Sequence, residues 1–291
     1  MNMKKLRDST ARGIFAFCAF VSVLSVLFIT VFIFLEGLPL FRVTGVLDFV
    51  FGTVWEPTGD PARYGILPFI AGSIWVTFGS LILALPVGLS VGIFMAEYAR
   101  GRFANTVRSV VELLAGIPSV IYGLFGYIAI APLVRNLTSS NTGLGVLTAS
   151  IVLAIMVLPT IINITEVSLR AVAPELKEAS LALGATHWQT IVHTLVPAAR
   201  SGILAGIVLG MGRSIGETMA VLMVAGNAVT MPTGPLSLAR TLTMNVATDM
   251  SYASGDHWTS LFTTGMVLFV FILVINISVQ MLMKKAVKDM K

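Results

Sequence analysis

The sequence predicts an all-α membrane protein built from six transmembrane helices. Three observations predict it. Of the 291 residues, 56% are hydrophobic and only 11% charged, where an average soluble domain carries about 25% charged residues. The mean hydropathy is +0.91. The apolar residues also fall into six runs, each near the roughly 20 residues needed to cross a bilayer core.

The first segment, 1–12, carries Lys4, Lys5, Arg7 and Arg12 and precedes an uncharged run over 13–35. The apolar part of a secretory signal is only about 7–15 residues long. Glu36-Gly37-Leu38-Pro39 ends the run and offers no small-residue cleavage site. The run therefore reads as a retained span. Further spans are expected near 68–95, 113–134, 145–165, 201–226 and 258–283, with 284–291 as a C-terminal tail. Pro68, Pro86, Pro118, Pro132 and Pro159 punctuate these runs. Each either marks a helix end or removes a hydrogen bond and kinks a span. Within the loop around 227–257, Leu236–Val246 is a candidate short helix.

Basic residues set the orientation. Fourteen of the nineteen Lys and Arg fall in four segments: the N-terminus, the loop with Arg100, Arg102 and Arg108, the loop with Arg170, Lys177 and Arg200, and the C-terminus. The opposite loops hold only Arg42, Arg63, Arg135 and Arg240. Both termini and the 166–200 loop are thus expected in the cytoplasm. The same dispersion argues against nucleic acid as a partner, because no dense basic cluster exists. Cys18 is a single cysteine inside an apolar run, so no intrachain disulfide and no cysteine metal site is expected. No phosphate-cradling G-x4-G-K-[ST], no H-E-x-x-H and no G-x-S-x-G occurs, and no cofactor is expected. His187, His193 and His257 are scattered and read as ordinary polar residues.

The 166–200 loop carries the strongest local signals. Pro174 suits a first helical position, and Leu176, Ala179 and Leu183 recur at helical spacing. Gly184 then predicts a left-handed stop. Thr186 and Gln189 fit a capping box opening a second helix, along which Trp188, Ile191, Val192, Leu195 and Val196 recur. Pro197 is expected to close the unit and can open the next helix. Local physics gives a helix–glycine–helix hairpin. It either projects into a groove of another protein or lies on the membrane interface.

Here the residues resemble a known pattern. Glu178-Ala179-Ser180, then Gly184, then Thr194-Leu195-Val196-Pro197 resemble the E-A-A-x3-G-x9-I-x-L-P motif of ABC importer permeases. The chain departs from it at Ser180, Thr194 and Val196. The resemblance implies the type I importer permease fold and a hairpin that docks on a cytoplasmic ATPase subunit, so that this chain hydrolyses no ATP itself. It extends to the phosphate-specific permeases: Gly116-Ile117-Pro118-Ser119-Val120-Ile121-Tyr122-Gly123 is similar to their G-I-P-S-V-x-Y-G signature. Trp55-Glu56-Pro57 followed by Tyr64-Gly65-Ile66-Leu67-Pro68 resembles the PstC-type subunit more than its PstA-type partner.

Arg213 and Glu217 are the only ionisable residues expected inside a span. Arg213 lies twelve residues beyond Ser201, or ~18 Å at 1.5 Å per residue, close to mid-membrane. Charges there carry a penalty of about 2.5–3.5 kcal/mol each and are usually paired and functional. A continuous helix would put Arg213 and Glu217, four apart, on one face. Either they form a structural ion pair, or Arg213 offers guanidinium donors to a passing anion. The block Gly212-Arg213-Ser214-Ile215-Gly216-Glu217-Thr218 resembles the G-R-x-x-G-E-T block of phosphate permeases, which implies a substrate pathway of Arg213, Glu217, Ser119 and Tyr122. The implied partners are a second, PstA-type permease, two ATPase copies, a phosphate-binding protein on the outer face, and membrane lipid. The alternatives are the PstA-type role, a permease for sulfate or molybdate, or a self-powered secondary transporter. No internal repeat supports the last of these.

Overall fold

The computed structural model describes residues 3–138 and 140–288. Six segments are long and apolar enough to span a membrane: Ala11–Arg42, Leu67–Glu97, Ser119–Leu137, Val146–Arg170, His187–Gly216 and Asp256–Ser278.

Helix α1 (Met3–Gly37) continues into a 3₁₀ turn, Leu38–Arg42. A short helix α2 (Val46–Phe51) and an antiparallel pair, β1 (Trp55–Glu56) with β2 (Arg63–Tyr64), follow at the end of the bundle farthest from the 166–200 hairpin. Helix α3 (Leu67–Glu97) has Pro68 in its first turn and Pro86 inside. Helix α4 (Gly101–Gly116) is amphipathic and stops at Ile117-Pro118. The third span therefore starts at Ser119, not at 113 as the apolar run suggested: α5 (Ser119–Phe125), a π turn over Gly126–Ile130, and α6 (Ala131–Leu137). A residue preceding proline is pushed out of the helical region, and Ile117 has ψ 128°.

Helix α7 (Val146–Arg170) is the most buried span. Three amides at its start donate to carbonyls between residues 224 and 237: Gly145 to Val224, Val146 to Ser237 and Leu147 to Pro235. These bonds satisfy donors that a helix N-terminus otherwise leaves orphaned. The hairpin is α8 (Pro174–Ala182) and α9 (His187–Thr190). Pro197 does not end the helical path; it stands in the first turn of the helix that follows. The chain passes through a second π turn, Ile191–Leu195, directly into α10 (Val196–Gly216). Proline removes the bond to the carbonyl four residues back and collides with it. The widened turn moves that carbonyl aside.

The fifth span is broken. α10 ends at Gly216, and α11 (Met219–Val224) starts anew. Helix α12 runs Leu242–Asp249, with Thr241 as N-cap through a 3.3 Å bond from the Met244 amide. It thus begins later than the 236–246 expected. Helix α13 (Asp256–Lys288) closes the bundle and carries α1 on its flank, with Phe32 edge-on to Phe262 at 5.7 Å.

The central core joins α3, α5, α7, α11 and α12 through Val76, Tyr122, Val152, Leu153, Met156, Val221 and Met244. At the far end, Leu40, Phe49, Trp55, Tyr64, Phe69 and Leu261 form a second cluster. A buried charge node adjoins it. Asp249 accepts from Trp55 Nε1 (3.1 Å), Arg240 Nη1 (3.2 Å) and Tyr252 OH (2.6 Å), and lies 3.4 Å from His257 Nε2. Arg240 also donates to Asn227 and Asn245. The bond to Asp249, followed by burial, pushes the Tyr252 phenol above the usual tyrosine range. The node joins three sequence-distant segments at the far end.

Removing one partner of a buried charge pair destabilises by about 3–5 kcal/mol. Asp249→Asn is therefore expected to lower the Tm of the purified protein by several degrees. Exposed Glu56→Gln should leave it unchanged. Thermal unfolding in detergent checks both.

Candidate functional site

Two regions carry the residues singled out from sequence. The first is the break in the fifth span. Arg213 sits on the last turn of α10 with its side chain exposed, while its neighbours Ser214 and Ile215 are buried. Ser214 receives a 3.2 Å bond from Ser80 Oγ of α3, which fixes the rotation of α10 and keeps Arg213 on the open face. Among the described residues, no ion pair joins Arg213 and Glu217. They are not on one helix face, because Glu217 has extended backbone (ψ 128°) after the helix end.

Glu217 instead organises the break. Its Oε1 accepts the Ala220 amide at 3.2 Å, capping the restarted helix. Its carbonyl accepts Thr243 Oγ1 of α12 at 3.1 Å. Nothing in the local pattern signals this interruption: Gly216-Glu217-Thr218 contains no proline.

Tyr122 and Ser119 lie on α5, which packs on α11. A Cβ at Gly123 would fall 3.0 Å from Ala220 Cα and 2.9 Å from Met223 Sδ, so only glycine permits this approach. Tyr122 is buried, and its hydroxyl donates to the Leu114 carbonyl at 2.7 Å, bridging the Ile117-Pro118 break. Ser119 is half-buried at the start of α5. Arg213, Glu217 and Tyr122 therefore cluster around two adjacent helix breaks. Glu217 and Tyr122 hold those breaks, and Arg213 presents the free guanidinium face.

The second region is the hairpin. Gly184 has φ +85°, where a Cβ is strained, and no other atom lies within 4 Å of a Cβ built there. Backbone conformation alone therefore selects glycine at this turn. The capping box forms as expected: the Gln189 amide donates to Thr186 Oγ1 (3.3 Å) and the Thr186 amide to Gln189 Oε1 (2.9 Å). Ser180 and Thr194, two of the three departures from the motif, touch each other. Thr194 Oγ1 donates to Ser180 Oγ at 3.3 Å, and Ser180 lies 3.0 Å from Thr190 Oγ1. This hydroxyl triangle ties α8 to the π turn. Leu183 (90% exposed) and Trp188 (62%) are left uncovered at the tip, and Glu178 and Ala179 lie on α8 beside them.

Sequence reasoning missed two shielded carboxylates at this end of the bundle. Glu166 on α7, 7% exposed, pairs with Arg108 of α4 (2.6 Å) and Arg170 (3.0 Å). Glu97, 8% exposed, pairs with Lys177 of α8 (2.5 Å) and lies 3.8 Å from His187 of α9. The i, i+4 spacing of Glu166 and Arg170 was the one local signal available.

The chain matches the family of binding-protein-dependent transport system inner membrane components over residues 88–288. It is 40% identical over 282 residues to a probable ABC transporter permease, YqgH, of Bacillus subtilis, covering 94% of this chain and 91% of that protein. It is 32% identical to the phosphate transport system permease PstC of Mesorhizobium japonicum, covering 81% and 78%. Solved structures share the fold. An inward-facing MetNI methionine ABC transporter chain aligns at TM-score 0.60 and 20% identity, covering 76% of this chain and 96% of that one. A bacterial ABC transporter importing alginate aligns at 0.61 and 13%, covering 97% and 99%. The chain is a multi-pass membrane protein with the type I importer permease fold, and it belongs to the binding-protein-dependent inner-membrane permeases of ABC transporters.

Proposed function

We propose that this chain forms half of the transmembrane pathway of an ATP-driven importer for inorganic phosphate, in the PstC-type role. The observation that carries it is Arg213: an exposed guanidinium on the open face of α10, one turn before a helix break in the apolar layer. A planar guanidinium matches phosphate oxygens in pairs. Glu217, held at the break, places a carboxylate four residues beyond Arg213, directly after the helix end, and limits how tightly an anion is retained. Tyr122 and Ser119 line the adjoining break at α5. The similarity to PstC permeases supports phosphate as the solute. Trp55 and Tyr64, from the segment that resembles PstC, pack together at the far end, with Phe69 against Trp55.

In this reading the protein sits in the bacterial inner membrane with both termini and the 166–200 hairpin in the cytoplasm, as the basic residues require. A PstA-type permease completes the pathway. Two copies of a separate ATPase subunit bind the hairpins and hydrolyse ATP. A phosphate-binding protein delivers solute to the opposite face. The hairpin contributes Glu178, Ala179, Ser180 and Gly184, with Leu183 and Trp188 as apolar anchors, and Pro197 lies where the hairpin continues into α10.

The assembled complex in proteoliposomes tests the reading. Hydrogen bonds to charged groups are worth about 1.5–3 kcal/mol, and 1.4 kcal/mol is about tenfold. Arg213→Gln is therefore expected to cut phosphate uptake at least tenfold with assembly intact, and Arg213→Lys to retain an intermediate rate. Normal uptake by Arg213→Gln, or uptake of sulfate or molybdate in place of phosphate, would overturn the assignment. Gly184→Val forces a branched side chain into the left-handed region and is expected to weaken co-purification of the ATPase several-fold, with Tm of the isolated permease unchanged.

A further inference from the structure

The hairpin is covalently continuous with two spans only. Residues 171–173 join α8 to α7, and the π turn joins α9 to α10. Helix α3 ends at Glu97 and leads away into α4, with no chain connection to the hairpin. Its last residues are nonetheless gripped by it. The Glu97 carboxylate touches both limbs: Lys177 Nζ of α8 at 2.5 Å and His187 Nε2 of α9 at 3.8 Å. The next residue, Tyr98, meets the His187 ring edge-on at 5.1 Å. From the other side Arg170 Nη2 donates to the Met95 carbonyl at 2.9 Å.

We infer that Glu97 is a positioning residue for coupling: it fastens the docking hairpin to α3, so that α3, α7 and α10 follow the hairpin as one lever. This rests on the reading of the hairpin as the ATPase dock. The geometry favours a tether over an incidental surface pair. Exposed ion pairs contribute little, but this carboxylate is only 8% exposed and gathers partners from both hairpin helices. The far arm of the lever reaches the substrate region. Ser80 lies seventeen residues before Glu97 on the same helix, ~25 Å at 1.5 Å per residue, and bonds Ser214 beside Arg213. A displacement at Glu97 is thereby delivered to α10 next to the guanidinium as well as through the covalent route.

The test uses the assembled complex with its ATPase. Glu97→Gln is expected to lower solute moved per ATP hydrolysed at least fivefold while ATP hydrolysis continues. The exchange Glu97→Lys with Lys177→Glu should restore the ratio, which assigns the effect to the pairing and not to the Glu97 charge alone. An unchanged ratio in Glu97→Gln would overturn the tether. A second measurement needs no solute. In a Cys18→Ser background that keeps Glu97 and Lys177, Tyr98→Cys and His187→Cys joined by a short bis-maleimide should cross-link equally in nucleotide-free and ATP-trapped complexes. Loss of cross-linking in either state means the hairpin leaves α3 and sinks the inference. Failure of the phosphate reading would show separately, as absent phosphate uptake by the unsubstituted complex.

Discussion

Interrupting a helix inside an apolar layer frees backbone groups that no water can satisfy, and the centre of this protein is arranged around that constraint. Two breaks lie close together, one at Ile117-Pro118 where the third span begins and one at Glu217-Thr218 within the fifth. Each is closed by protein. Tyr122 takes the Leu114 carbonyl. Glu217 caps Ala220 with its side chain and gives its own carbonyl to Thr243. The start of α7 is closed the same way by carbonyls from residues 224–237. The far-end loop is thus less a cover than a set of hydrogen-bond partners threaded down to the breaks. The Asp249 node fixes that loop, so the breaks depend on charges buried well away from them.

Both π turns follow one rule. Gly126–Ile130 ends two residues before Pro132, and Ile191–Leu195 ends two residues before Pro197. In each case the carbonyl that proline would strand lies inside the widened turn. Pro86 and Pro159 are absorbed within α3 and α7 without one.

Much of this was legible in the sequence. Six spans, the capping box at Thr186 and Gln189, and the turn at Gly184 depend on neighbours within a few residues, and short-range patterns record them. The third span's true start and the break after Gly216 were not legible from hydropathy, because apolar runs continue through both. The Glu97–Lys177 pair spans eighty positions and the Arg108–Glu166 pair fifty-eight. Nothing in a linear reading brings such residues together. The same holds for His187 and His257, which look ordinary in sequence and stand beside buried carboxylates in the fold. Arg213 was found because a lone cation in an apolar run is itself conspicuous, but its separation from Glu217 required the backbone.

The hydroxyl triangle in the hairpin bears on how the motif tolerates change. Ser180 and Thr194 depart from the family pattern at positions fourteen apart, yet Thr194 donates directly to Ser180. They behave as one two-site character. Restoring the consensus alanine at 180 alone would strip Thr190 and Thr194 of a shared partner, whereas restoring both positions together would exchange a polar seam for an apolar one. Swapping segments of this hairpin between relatives should therefore respect that pairing: the compatible unit of exchange runs from α8 through the π turn, and shorter grafts would mismatch the seam.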